Sequence, residues 1–187
     1  MHRDVKSANV LIGDDGRAVL ADAGVARRMR VDADATAAAT GTCFIGTDGY
    51  LDPEYQHSME LAYKSDVFSI GVVILEMLTG RPARDMAPAR LTSRPPLLWK
   101  RFRDYGQDWN EHVWRVVAEA AACWAGSASA LASLALRATA EASASRPSIN
   151  EVISTLAEIR GGGSGIGGGA TPRECVICLS ALRSVRF

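Results

Sequence analysis

The sequence predicts a mainly α-helical domain with a single short β-hairpin, and three features carry that prediction. Val67, Ile70, Gly71, Ile74, Leu75 and Leu78 recur at three- and four-residue spacing, the period of one helix face. Ser148 stands three residues before Glu151, a capping box that opens a second amphipathic run through Ile149, Val152, Ile153, Leu156 and Ile159. Near the N-terminus, Val10-Leu11-Ile12 and Ala18-Val19-Leu20-Ala21 flank Asp15-Gly16, a hairpin turn signal.

Taken in order, the chain opens on His2-Arg3-Asp4, a polar loop with no element before it, which suggests a truncated domain. The hairpin follows. If Asp15-Gly16 is a two-residue loop, opposed positions sum to 31 and Asn9 lies across from Asp22, so two oxygen ligands meet. Residues 25–49 are small, polar and aperiodic, which predicts a long functional loop. The central helix takes Ser65 as N-cap and Gly80 as stop, with Pro82 beyond. From 118 to 144 there are 13 alanines in 27 residues, favourable for helix but poor in bulk, so Leu131, Leu134 and Leu136 are expected to carry the packing. The last helix starts at Ser148, docks its apolar face on the same core and ends by Gly161. Residues 161–169 hold seven glycines in nine, a flexible linker composition, so the domain is expected to span 1–160, with a separate tail over 170–187. Gly163, Gly165 and Gly168 match a phosphate-loop spacing, but no strand precedes them and they read as linker.

Composition narrows the function. Twenty-one Lys+Arg balance 21 Asp+Glu over 187 residues, which gives no electrostatic footprint for nucleic acid or an anionic membrane. The most apolar run, 67–78, has 12 residues and contains Glu76, short of the about 20 that span a bilayer. Four scattered cysteines and the absence of a basic-then-apolar leader point to a reducing, cytoplasmic setting. His57 and His112 are expected on the surface, and Trp99, Trp109, Trp114 and Trp124 in or near the core.

The chemistry concentrates at 2–9 and 22–24. Asp4 offers a carboxylate, Lys6 a cation, Asn9 an amide oxygen and Asp22 a second carboxylate. That set suits phosphoryl transfer, in which a base orients a hydroxyl, a cation neutralises the moving group and oxygen ligands hold magnesium.

The order and spacing of these residues resemble the C-terminal lobe of a eukaryotic protein kinase. HRDVKSANVL resembles the catalytic loop, Asp22-Ala23-Gly24 stands where the family has Asp-Phe-Gly, and Leu51-Asp52-Pro53-Glu54 stands for Ala-Pro-Glu. GTDGYLDPEY, KSDVFSIGVVILEMLTGRP and RPSINEVISTL look most like plant-type receptor-like and Pelle-like Ser/Thr kinases. The resemblance covers residues 1 to about 160 and implies transfer of the ATP γ-phosphate to protein Ser/Thr hydroxyls with magnesium. By position it makes Asp4 the base, Lys6 the contact to the transferred phosphate, and Asn9 and Asp22 the magnesium ligands. Thr47 would brace the base and line the substrate groove. Arg3 would pair with a phosphorylated Thr40 or Thr42. Glu54 and Arg146 correspond to a buried ion pair, and Asp66 to the anchor of the catalytic-loop backbone. His2 is expected under the magnesium-binding turn.

The chain departs from the family in three places. Ala23 replaces the Phe that registers the upper lobe, Asp52 replaces Ala, and no glycine-rich nucleotide loop or strand lysine precedes His2, so an N-terminal lobe is an expected missing partner. The tail motif Cys175-Val-Ile-Cys178 resembles the opening of a RING-type zinc finger. It offers two of the four ligands a structural zinc needs, so zinc is not expected in this chain. Two rival readings accompany the kinase: a pseudokinase-like docking lobe, and a slice of a kinase and RING ubiquitin-ligase fusion.

Overall fold

The computed structural model describes residues 1–28, 45–84, 97–104 and 125–162. It is mainly helical with one two-stranded antiparallel sheet, as the sequence predicts. Strands β1 (Val10–Ile12) and β2 (Ala18–Leu20) are followed by helices α1 (Pro53–Ser58), α2 (Lys64–Thr79), α3 (Leu98–Asp104), α4 (Ala125–Ala138) and α5 (Ile149–Gly162). Thr40, Thr42, Cys43, Trp109, Trp114, Trp124 and His112 lie outside the described residues, as do Cys175, Cys178 and nearly all of the linker.

The hairpin register differs from the expected one. Val10 pairs with Leu20, Leu11 with Val19 and Ile12 with Ala18, so opposed positions sum to 30. Gly13 and Arg17 close the ladder, Gly16 N–H donates back to Gly13 O, and Gly16 takes φ +76°. A three-residue loop with a left-handed glycine has replaced the two-residue turn. Asn9 therefore faces Ala21, whose N–H donates to Asn9 O at 2.8 Å, and Asp22 lies one residue further on. Leu11, Ile12, Val19 and Leu20 are 46 to 59% exposed; Leu11 and Val19 stand on one face and Ile12 and Leu20 on the other, so the hairpin leaves apolar side chains exposed on both faces.

Helix α2 is the central post. Its first residue is Lys64, with Tyr63 as N-cap. Ser65 lies inside the first turn and spends its hydroxyl on Asp52 Oδ2 at 2.7 Å, which is why it does not cap. The helix stops at Gly80, where the backbone turns left-handed and Gly80 N–H donates to Glu76 O. Phe68, Val72 and Leu75 are fully buried, and Trp99 of α3 meets the Phe68 ring edge-on with centroids 5.4 Å apart. Each such side chain contributes roughly 1.5 to 3 kcal/mol through burial.

Helix α4 packs on α2, and α5 packs chiefly on α4. Leu134 is buried, but Leu136 is 40% exposed. Leu131 and Ala132 pack on the core while partly buried, and Ala128, Ala135 and Ala138 are buried beside Leu134, because small side chains let the two backbones come close. Gly71 marks the closest approach: a Cβ there would stand 2.8 Å from both Ala138 Cβ and Thr139 Cγ2. Gly71→Ala is expected to destabilise by about 1 to 3 kcal/mol through overpacking, despite its better helix propensity, and a urea melt that shows stabilisation would contradict this packing.

The capping box at α5 is formed in both directions: Ser148 N–H donates to Glu151 Oε2 at 2.6 Å, and Glu151 N–H to Ser148 Oγ at 3.3 Å. Of the predicted apolar face only Val152 is fully buried, while Ile149, Ile153 and Leu156 are 37 to 58% exposed. The described helix continues to Gly162, two residues past Arg160.

Candidate active site

The loop His2–Asn9 is held by the first turn of α2. Asp66 Oδ2 accepts His2 N–H at 2.7 Å and Oδ1 accepts Arg3 N–H at 2.9 Å. Arg3 takes the left-handed φ of 70° that these two bonds impose, and its Nε donates to Val25 O. His2 Nε2 lies 3.1 Å from Ala21 O, next to Asp22. A short 3₁₀ turn over Ser7–Asn9 then feeds β1.

Asp4, Lys6 and Thr47 form a closed triangle. Lys6 Nζ donates to Asp4 Oδ2 at 2.8 Å and to Thr47 Oγ1 at 2.9 Å, while Thr47 Oγ1 donates to Asp4 Oδ1 at 2.6 Å. Burial pushes the Asp4 carboxyl up, but the Lys6 and Thr47 hydrogen bonds and the Lys6 charge outweigh it and hold the group below its ordinary value. Asp4 is therefore ionised at neutral pH, with its side chain 14% exposed. Such a carboxylate can accept and orient a hydroxyl at its open edge.

Asn9 is buried, and its Nδ2 donates to Asp4 O at 2.8 Å. That bond fixes the amide and turns Oδ1 away from the Asp4 backbone. Asp22 is exposed and left-handed, φ 60°. The pairing of Asn9 with Ala21 brings these two oxygen donors to the same end of the hairpin.

Thr47 belongs to a turn in which Tyr50 N–H donates to Thr47 O at 3.1 Å. Beyond it the structure corrects one assignment. Arg146 does not pair with Glu54; its guanidinium grips Asp52 through two bonds, Nη1 to Oδ2 at 2.7 Å and Nη2 to Oδ1 at 2.6 Å, with both side chains sealed from solvent. Asp52 sits at the N-cap of α1, where its shorter side chain points inward over Ser65. Glu54 points outward and accepts Ser143 N–H.

The sequence reading also passed over Tyr50, Ser7 and Glu76. Glu76 is 2% exposed within the apolar stretch of α2, and its oxygens accept the Tyr50 hydroxyl at 2.8 Å. The signal was present: a lone carboxylate inside an apolar run must either face solvent or find donors, and Glu76 shares the helix face of Val72 and Leu75.

Comparison with known proteins identifies the family. A family described as protein kinase domain matches residues 1–155. Among curated proteins of Arabidopsis thaliana, the chain is 56% identical over 81 residues to a proline-rich receptor-like protein kinase, covering 43% of this chain and 15% of that protein. It is 49% identical over 81 residues to calmodulin-binding receptor-like cytoplasmic kinase 2, covering 43% of this chain and 20% of the relative. A probable LRR receptor-like serine/threonine-protein kinase is 45% identical over 85 residues, 46% of this chain and 9% of its own. The chain thus spans a fifth or less of these relatives. Neither the docking-lobe nor the ligase-fusion reading is favoured by the matches. With 155 of its 187 residues matched, the chain belongs to the protein kinases, beside the plant receptor-like Ser/Thr kinases.

Proposed function

We propose that this chain forms the catalytic and substrate-holding side, the C-terminal lobe, of a kinase that transfers the γ-phosphate of ATP to Ser/Thr hydroxyls of a protein substrate. The observation that carries the reading is the Asp4–Lys6–Thr47 triangle. A substrate hydroxyl at the open edge of Asp4 would hand its proton to the carboxylate as its oxygen attacks phosphorus. Lys6, two residues on, would shift part of its charge to the phosphoryl oxygens, so that the negative charge leaving Asp4 as it takes the proton, and passing through the substrate oxygen to the phosphoryl group, is balanced throughout. Thr47 would keep the carboxylate turned toward the groove.

The donors at the end of the hairpin fit magnesium. Asn9 offers an amide oxygen and Asp22 a carboxylate, hard ligands of the type magnesium takes alongside waters and phosphate oxygens. When bound, magnesium-ATP supplies the phosphoryl group and the countercharge for its leaving oxygens. Asn9 would add rigidity, since its amide is already fixed by Asp4 O, whereas exposed Asp22 is free to adjust.

Three further assignments belong to the same reading. The exposed apolar side chains of the hairpin, Leu11, Ile12, Val19 and Leu20, suit cover by the nucleotide-holding N-terminal lobe of an intact kinase. Arg3, at the rim of the loop, is the cation for a phosphorylated Thr40 or Thr42. The domain ends near Arg160, where the glycine linker begins, and the Cys175–Cys178 tail stands apart from the reaction. The compartment proposed for the reaction is the cytoplasm, on the likeness to a receptor-like cytoplasmic kinase. Among the described residues no helix is long and apolar enough to cross a membrane.

The test is phosphoryl transfer by the full-length gene product in magnesium and labelled ATP. Three peptides identical except for Ser, Thr or Tyr at the acceptor position should take label on Ser and Thr only. Label on Tyr, or on none of the three with an intact full-length protein, would overturn the proposal.

A further inference from the structure

We propose that Asp48 is a specificity-determining residue, which favours protein substrates carrying Lys or Arg next to the acceptor Ser or Thr, with Arg84 as the countercharge that moderates the preference. The inference rests on the phosphotransfer reading, in which Asp4 receives the acceptor hydroxyl. Thr47 Oγ1 donates to Asp4 Oδ1 at 2.6 Å. Asp48 is the next residue, one Cα step of about 3.8 Å further along the wall of the site. Neighbouring residues of a bound peptide are spaced by the same step, so a side chain beside the acceptor comes within reach of the Asp48 carboxylate.

The turn that carries Asp48 is supported from behind. Tyr50 N–H donates to Thr47 O, and Gly49 takes φ +97° at the third position, the pattern of a type II turn with Asp48 at its first central position. Gly49 is buried against the segment that follows α2: a Cβ there would stand 3.1 Å from Ala83 Cβ. Ala83 O in turn accepts Leu98 N–H at 2.9 Å, and Arg84 forms an antiparallel bridge with Leu97. From this support Arg84 Nη2 donates to Asp48 Oδ1. The two charges are unequally placed. The Arg84 side chain is 14% exposed and the Asp48 side chain 52% exposed, so an arriving substrate meets the carboxylate, with the guanidinium behind it.

The turn itself does not require a carboxylate. Its first central position accepts most residues, and a half-exposed ion pair adds little to stability. A charge at this place acts instead on what arrives beside it: an opposite charge on the substrate is attracted, and a like charge is repelled and left poorly paired. Because Arg84 stands behind Asp48, it weakens that field without reversing it. The two members of one ion pair therefore act on the substrate with opposite sign, and this separates a role in selection from a role in holding the turn.

The test is phosphoryl transfer by the full-length gene product to peptides that differ only in carrying Lys, Ala or Glu at the residue before or the residue after the acceptor. Wild type should favour Lys over Ala in kcat/KM by roughly two- to fivefold, and Ala over Glu by a similar factor, at one of the two positions. Raising the salt should shrink both ratios, because the contact is open to solvent. Asp48→Asn leaves the Arg84 charge in place and should reverse the order, toward Glu. Arg84→Ala removes the countercharge and should sharpen the preference for Lys. A merely structural ion pair would move both variants the same way. Wild type using the three peptides equally, a preference shared evenly by both positions, or both variants shifting in one direction overturns the proposal. Label without discrimination leaves the phosphotransfer reading standing, whereas no label on any peptide overturns that reading and the proposal with it. Should Arg84→Ala fail to fold, Asp48→Asn and the salt series decide.

Discussion

Asp52→Ala should lower the unfolding free energy by about 3 to 5 kcal/mol, whereas Glu54→Ala should cost less than about 1 kcal/mol. The asymmetry follows from what each carboxylate touches. Asp52 accepts four hydrogen bonds: two from Arg146, one from Ser65 Oγ and one from Glu54 N–H. That fills the acceptor capacity of a carboxylate. Removing it leaves a guanidinium whose side chain is 0% exposed, beneath which Phe68 presents its ring face at 5.0 Å. The carbonyls of Lys64, Ala140 and Glu141 still hold Arg146, but neutral acceptors do not balance a buried charge. Glu54, by contrast, is exposed and holds a single backbone N–H. A second variant separates the charge effect from lost packing. Asp52→Ala combined with Arg146→Met removes both charges and should recover part of the loss. Urea melts followed by circular dichroism read all three. Equal losses for Asp52→Ala and Glu54→Ala would return the ion pair to Glu54.

That pair shows where sequence reasoning reached its limit. The family resemblance gave Arg146 the single partner Glu54 by motif position, but only the path of the backbone into α1 decides which carboxylate turns inward. An Asp at the N-cap, two residues earlier and one methylene shorter, could reach both Ser65 and the guanidinium. The hairpin failed for a similar reason. Asp15-Gly16 correctly marked a turn, yet one left-handed glycine serves a three-residue loop as well as a two-residue one, and a single residue of loop length moves every pairing. Helix periodicity served better. It placed the body of α2 and its stop at Gly80, because a 16-residue helix averages over local errors. It could not foresee that Gly71 and the alanines of α4 would carry the interhelical contact in place of Leu136, since close backbone approach depends on two helices together. Asp4, Lys6 and Thr47, which the structure brings together, were legible because the order and spacing of their motifs stand in the sequence itself. Glu76 and Tyr50 were missed because each, taken alone, reads as core.

Asp4→Asn should reduce phosphoryl transfer by the full-length protein by roughly 10² to 10⁴-fold, the range for loss of a general base, with little change in fold. The substitution keeps the shape and one acceptor oxygen, so the Thr47 bond can persist. It removes the charge that Lys6 balances and offers an amide that cannot take a proton. The loss should therefore fall on kcat, since the base acts on the hydroxyl in the transition state and contributes little to ground-state binding. Thr47→Val makes the contrast. It leaves the carboxylate ionised and paired to Lys6, but frees Oδ1 to rotate, so turnover should fall by a smaller factor, about tenfold, the worth of one hydrogen bond near the net value typical in proteins. Asp22→Ala should act differently again, raising the magnesium and ATP concentrations needed for half-maximal rate, because its carboxylate stands at the end of the hairpin and outside the Asp4 triangle. Steady-state kinetics on the three variants, each checked for helix content, distinguish these roles. Asp4→Asn turning over at the wild-type rate would remove Asp4 from the chemistry, and with it the meaning of the triangle. Thr47→Val falling as far as Asp4→Asn would instead make the hydroxyl, not the carboxylate, the group on which transfer depends.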